Sequence, residues 1–178
     1  MHPPRLTTAR LELVAMTREL LDAEEVSAQT LADKLSAQVP DDWPPDLYDD
    51  HARMINKDQL YTDPEYHDWL SCYIIHNEPP PTSRSLVGII GYGAFKADEQ
   101  TVMTGYSVCE NHRNKGYATE ALSALTEWAF RQFHISRIIA DTFPHLLPSI
   151  RVLEKNGFQR IGIGGEEGTI RFELLREK

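Results

Sequence analysis

The stretch Arg113-Asn114-Lys115-Gly116-Tyr117-Ala118 decides the reading of this chain. It follows a strand-like segment, Met103–Cys109, and opens a helical run from about Tyr117 to Phe133. A strand that ends in a loop with a glycine and a small residue, then turns into a helix, makes an anion site. The unpaired N–H groups of the first helical turn point at the ligand, and the macrodipole adds roughly half a positive charge. Gly116 lets the backbone come close to a phosphate, while Arg113 and Lys115 add full charges. The spacing Arg-x-x-Gly-x-Ala fits neither the Walker loop nor the three-glycine dinucleotide fingerprint. Alone, the stretch also fits an ordinary strand-to-helix turn with exposed basic residues, so its neighbours must decide.

Upstream, Leu11–Met16 alternates as a first strand. Thr17 caps a helix through about Val26, and Ser27–Ala37 reads as a second short helix or a continuation. Val39–Pro45 breaks the pattern, and Asp46 is read as the N-cap of a helix to about Leu60, ended by Asp63-Pro64. Trp69–His76, Leu86–Phe95 and Gln100–Cys109 read as strands, with a turn over Asn77–Ser85 and a hairpin around Ala97-Asp98-Glu99. Downstream, Ala118, Leu122, Leu125, Ala129 and Phe133 form one apolar stripe at spacings of three and four. Ser136–Phe143 is a strand, and Pro148–Asn156 a short helix closed by Gly157. Phe158–Ile163 and Thr169–Leu175 form a terminal hairpin around Gly164–Gly168. The order β-α-α-β-β-β-α-β-α-β-β implies an α/β (α+β) fold: a mixed sheet flanked by helices, in a single domain over residues 1–178.

Composition narrows the class. A chain of 178 residues can bury a core without disulfides or metal. Cys72 and Cys109 are far apart and have no metal-ligand spacing, so a reduced cytoplasmic protein without metal is the expectation. No apolar run approaches the length of a membrane span, and the start lacks a secretory signal's apolar core. The net charge of −9 argues against nucleic acid as a partner. Its distribution says more. Residues 1–80 carry 16 acidic and 6 basic residues (−10), whereas residues 81–178 carry 11 and 12 (+1). The anion loop lies in the less repulsive half. The acidic half is either a solvated surface or a recruiter of a cationic second substrate.

The element order and loop together resemble the GNAT superfamily of acyl-CoA-dependent N-acetyltransferases, a fold with a mostly antiparallel sheet. The resemblance rests on Thr8–Leu13, Leu86–Gly91, Gly105–Val108, Gly116–Ala121 and Ser149–Phe158. These stretches look like the branch that includes the ribosomal-protein N-terminal acetyltransferases, and residues 27–70 match only loosely. The resemblance implies acetyl-CoA as donor cosubstrate. Val108 and Cys109 would offer backbone groups to its pantetheine arm. Arg113, Asn114, Lys115, Gly116, Tyr117, Ala118 and Thr119 would wrap its pyrophosphate. Arg151 or Lys155 would reach the 3′-phosphate, unless each simply belongs to a solvated helix face.

The implied chemistry is direct attack of an amine on the thioester. It needs a neutral amine, an N–H on the developing oxyanion and a proton for the leaving thiolate. The backbone N–H of Val108 or Cys109 is the oxyanion candidate. Ser149 falls on the family's thiolate acid or sulfur hydrogen-bond position, with helix capping as its plain alternative. Three positions depart from the pattern: Met103 stands where relatives carry a Glu base, Leu146 where they carry an Asn, and Leu153 where other branches carry a Tyr acid. His145, His112 and Glu110 are substitute bases or ordinary surface residues. Cys109 reads as a buried strand residue rather than a nucleophile. Asp41, Asp42, Asp46, Asp49 and Asp50 surround Trp43 and Tyr48, either attracting a cation or capping and solvating.

The sequence therefore reads as an N-acetyltransferase acting on an amine-bearing acceptor, a protein N-terminus or a small, possibly cationic molecule, as a monomer or homodimer. The alternative is a catalytically weakened acyl-CoA-binding regulatory protein.

Overall fold

A computed structural model describes residues 5–62, 71–77, 84–96, 100–131 and 134–177 of the chain. The elements run β1 (Leu6–Thr7), β2 (Leu11–Ala15), α1 (Arg18–Val26), α2 (Ala28–Leu35), α3 (Asp50–Thr62), β3 (Ser71–His76), β4 (Ser85–Lys96) and β5 (Thr101–Val108). A 3₁₀ turn (Glu110–His112) leads to α4 (Tyr117–Phe130), β6 (Arg137–Thr142), α5 (Leu147–Lys155), β7 (Gln159–Ile163) and β8 (Ile170–Leu175). The strands form one eight-stranded sheet in the order β1-β2-β3-β4-β5-β6-β8-β7. Of the pairings with a described register, only β5–β6 is parallel (Val102 opposite Ile138); β1–β2, β2–β3, β3–β4, β6–β8 and β7–β8 are antiparallel. A parallel neighbour requires a crossover, and α4 supplies it. Its first turn follows β5 by way of the 3₁₀ turn and the loop of residues 113–116.

By contact density the backbone divides into two compact units. One comprises Met1–Gly91 and Tyr106–Ala121; the other comprises Tyr92–Gly105 and Leu122–Lys178.

In the first unit, Ser27 separates two helices rather than extending one. It closes α1 through its N–H to Ala23 O, and its side chain caps α2 by accepting from Thr30 N. The Ser27–Ala37 segment is thus a distinct helix, ended by Ser36 in a left-handed conformation (φ 50). The start of α3 corrects the sequence reading. Asp46 is not its N-cap: the helix begins at Asp50, and Asp49 accepts from Ala52 N at 2.9 Å. The core joins Val14, Met16, Leu21, Leu31, Tyr48, Leu60, Tyr73 and Leu86. Tyr73, Ile74 and Ile75 are all buried in succession, so β3 is covered on both faces. Gly88 on β4 has its own reason. A Cβ there would lie 2.4 Å from Ser107 O and 3.0 Å from Val108 Cα, so only glycine lets β4 approach the end of β5.

In the second unit, Val102, Ile138, Ala140, Leu153, Phe158 and Phe172 are buried. The α4 stripe follows the expected one at Leu122, Leu125 and Ala129, which are buried; Ala118 is half-buried and Ala121 is buried beside it. The expected stripe residue Phe133 lies outside the described residues, as do Trp69, Asp63-Pro64, the prolines of the Asn77–Ser85 turn and the Ala97-Asp98-Glu99 hairpin tip. Arg171 binds Asp141 through two hydrogen bonds of 2.8 and 2.7 Å, and Asp141 also accepts from Gly165 N at 2.7 Å. These bonds, led by the one from Arg171, hold the Asp141 carboxyl below its ordinary range and tie the β7–β8 loop to β6.

Candidate functional site

The loop after β5 leads through a 3₁₀ turn into α4. Asn114 (φ 62) and Gly116 (φ 82) both take left-handed conformations. Residues 113–116 are exposed, Ala118 and Thr119 are half-buried, and Tyr117 is buried. The Glu120 amide bonds back to Gly116 O at 3.0 Å. The amides of Ala118 and Thr119 precede it in the first turn and have no acceptor within the helix.

The loop is held by residues that the sequence reading quoted but gave no role. Arg10 donates from its backbone N to Glu120 Oε1 (3.0 Å) and from Nε to Glu120 Oε2 (2.8 Å). Its Nη1 reaches Lys115 O at 3.0 Å, and Thr8 Oγ1 donates to Glu120 Oε1 at 2.6 Å. The guanidinium also lies 5.1 Å over the Tyr117 ring, which packs 4.8 Å from His76. Arg10 thus fixes both the carbonyl before Gly116 and the first turn of α4. Burial works to raise the Glu120 pKa, but the bonds from Thr8 and Arg10 outweigh it and hold the carboxyl below its ordinary range. A depressed pKa stabilises the fold above the unfolded value and loses that contribution as pH falls through the folded one. Replacing Glu120 by glutamine should therefore cost about 1–2 kcal/mol at pH 7. Thermal melts should show the gap to wild type closing below about pH 4.

Two expected site residues have other engagements. The Cys109 N–H donates to Val87 O at 3.0 Å, and the Cys109 carbonyl accepts from His112 N at 2.9 Å. Cys109 closes the β5 ladder to β4, so its amide is not the open donor expected of it. Its thiol is fully buried, and burial, aided by the Asp42 charge, pushes its pKa up to about 12. It stays protonated and is no nucleophile. Arg113 does not stand open over the loop. Nε donates to Val108 O at 3.0 Å, and Nη2 pairs with Asp46 at 2.8 Å. Asp42 accepts from Asn111 N at 3.0 Å. Two members of the acidic cluster, Asp42 and Asp46, therefore tie the segment before α3 to Asn111 and Arg113 after β5.

Ser149 belongs to the other compact unit, as the third residue of α5. It is not that helix's N-cap; Leu146 holds the position and makes no side-chain capping bond. Leu153 is a core residue. Arg151 and Lys155 are exposed on α5, and His145 is exposed with its ring stacked 5.4 Å from Phe143. Among the described residues, no group of His, Cys, Asp or Glu could hold a metal ion, and no helix is long and apolar enough to cross a membrane.

The sheet is mixed and mostly antiparallel, with α4 as the crossover between its parallel strands β5 and β6. The acetyltransferase (GNAT) domain family matches residues 10–159, and the chain belongs to that family. It is 42% identical over 78 residues to the uncharacterized N-acetyltransferase YnaD of Bacillus subtilis, covering 43% of this chain and 45% of the relative. It is 29% identical over 83 residues to the ribosomal protein uS5 alanine N-acetyltransferase of Escherichia coli, covering 46% and 43%. Each alignment thus spans less than half of the relative's length. The solved structure of RimL, a ribosomal α-N-protein acetyltransferase in complex with coenzyme A, has a TM-score of 0.63 at 17% identity, covering 94% of this chain and 95% of that one. That likeness concerns the fold.

Proposed function

We propose that the chain transfers an acetyl group from acetyl-CoA to a primary amine by direct attack in a ternary complex. The observation that carries this reading is the donor loop: two left-handed residues, exposed basic side chains and a helix N-terminus fixed by the Arg10–Glu120 pair. In this reading the amides of residues 114–119 face the oxygens of the pyrophosphate and Lys115 supplies charge. The donor brings a thioester carbonyl that an amine can attack. With the Cys109 amide committed to Val87, the Val108 N–H is the oxyanion donor in this reading. The proton for the departing sulfur is assigned to Ser149 on the resemblance alone. The ribosomal-protein alanine N-acetyltransferase among the relatives favours an amine on a protein as acceptor, with a small-molecule amine as the alternative.

Titration with coenzyme A tests the reading. Saturable binding that is lost in Lys115→Ala/Arg113→Ala supports it, and heat-silent titration of folded wild type overturns it. Met103 and the committed Cys109 amide favour a second reading, a coenzyme-binding protein without turnover. Coenzyme binding without product across a broad panel of amines would select that one.

A further inference from the structure

Residues 42–47, between α2 and α3, meet the end of β5 and the residues after it at three points. Asp42 accepts from Asn111 N at 3.0 Å, Leu47 N donates to Ser107 Oγ at 3.4 Å, and Asp46 pairs with Arg113 Nη2 at 2.8 Å. All of these residues belong to the first compact unit. The first two contacts fix backbone. The third engages a charge. In the donor reading Arg113 and Lys115 are the basic side chains at the pyrophosphate, so Asp46 sets a carboxylate on one of them. Arg113 Nε is engaged as well, on Val108 O at 3.0 Å. Two other aspartates of the cluster are used differently: Asp49 accepts from Ala52 N in α3, and Asp50 pairs with Arg53.

The Asp46 side chain is 79% exposed and that of Arg113 41%, and a pair this open holds by only about 0.2–1 kcal/mol. A pyrophosphate is the stronger partner for a guanidinium, because it carries more charge and accepts two parallel N–H bonds. The two anions also repel each other across a shared cation. A donor must therefore draw Arg113 away from Asp46 or bind beside that carboxylate, and either course lowers its affinity.

We propose that Asp46 is a built-in competitor of the donor, an acidic strap on Arg113 that coenzyme A loosens when it binds. This rests on the donor reading of the loop. The competition runs both ways: whatever holds Asp46 off Arg113 strengthens donor binding by the same factor by which the donor favours release of Asp46. The segment before α3 is thereby coupled to occupancy of the donor site.

Calorimetric titration of the full chain with coenzyme A at low salt tests the inference. Asp46→Asn, which keeps the size of the side chain without its charge, should bind coenzyme A at least about threefold more tightly than wild type. Asp41→Asn removes the same charge from an exposed neighbour and should stay within about 1.5-fold of wild type. In an Arg113→Ala background, adding Asp46→Asn should change affinity by no more than that margin. Melting temperatures of the single variants should stay within a few degrees of wild type. Unchanged or weaker binding in Asp46→Asn, an equal gain in Asp41→Asn, or a gain that persists without Arg113 overturns the inference and leaves the donor reading in place. Failure of wild type and every variant to bind coenzyme A would instead overturn the donor reading, and the inference with it.

Discussion

Gly116→Val abolishes coenzyme A binding, with affinity expected to fall by more than about 100-fold in calorimetric titration. Three effects act together at this position. The backbone holds φ at 82°, where an L side chain costs roughly 1–2 kcal/mol, more for a β-branched one. A Cβ at residue 116 would stand 3.4 Å from Arg10 Nη2, so valine's added methyls press on the guanidinium that binds Glu120 and Lys115 O. The side chain also enters the space through which the amides of the helix N-terminus approach a phosphate. Gly116→Ala separates these contributions. It carries the backbone cost and an ordinary contact with Arg10, and should lose about tenfold in affinity with a melting point a few degrees lower. If valine bound coenzyme A as tightly as wild type, the loop would not be the donor site.

The loop was legible because its chemistry is local. A strand, a glycine, basic residues and a helix follow one another within twenty residues, and periodicity alone placed the flanking elements to within a few positions. The clamp on that loop was not legible, because Arg10 and Glu120 lie 110 residues apart and neither is unusual in its own window. Their positions inside Thr8–Leu13 and Gly116–Ala121 were the available signal, and only the fold makes them one feature. Asp46 failed for a related reason. An aspartate before a helical pattern is a good cap by propensity, but Arg113 lies within 2.8 Å and Asp49 is left to cap α3. The Cys109 amide was misjudged because a strand's last residue can stand open or close the ladder, and the close approach at Gly88 decides which. The hydrogen bonds to Glu24 escaped notice because its carboxylate sits within α1 among ordinary charges, while its three aromatic neighbours come from residues 43, 48 and 73.

Met103→Glu should raise kcat/KM at pH 7 by about 100-fold for acceptors of high pKa, the lower end of what a positioned base contributes. Met103 is half-buried on β5, opposite Ile139 of β6, at the position where the family resemblance expects a glutamate. The size of the effect follows from the acceptor. An amine of pKa about 10.4 is neutral at pH 7 in roughly one molecule of 2,500, whereas an α-amine near 8 is neutral in about one of ten. A base therefore has most to add for the first kind and little for the second. Partial burial would itself raise the introduced carboxyl's pKa and make it a better proton acceptor near neutrality. With the native methionine, log kcat/KM should climb with a slope near one as pH rises toward the amine's pKa, because only the neutral fraction reacts. The variant's profile should be flatter, so its advantage is greatest near pH 7 and fades by about pH 10. An n-butylamine and α-amino-peptide pair, assayed by coenzyme release from pH 6 to 10, separates the cases. If both acceptors gain equally, the carboxylate acts on binding rather than on the proton. If neither gains, the proton leaves by a route that does not pass residue 103.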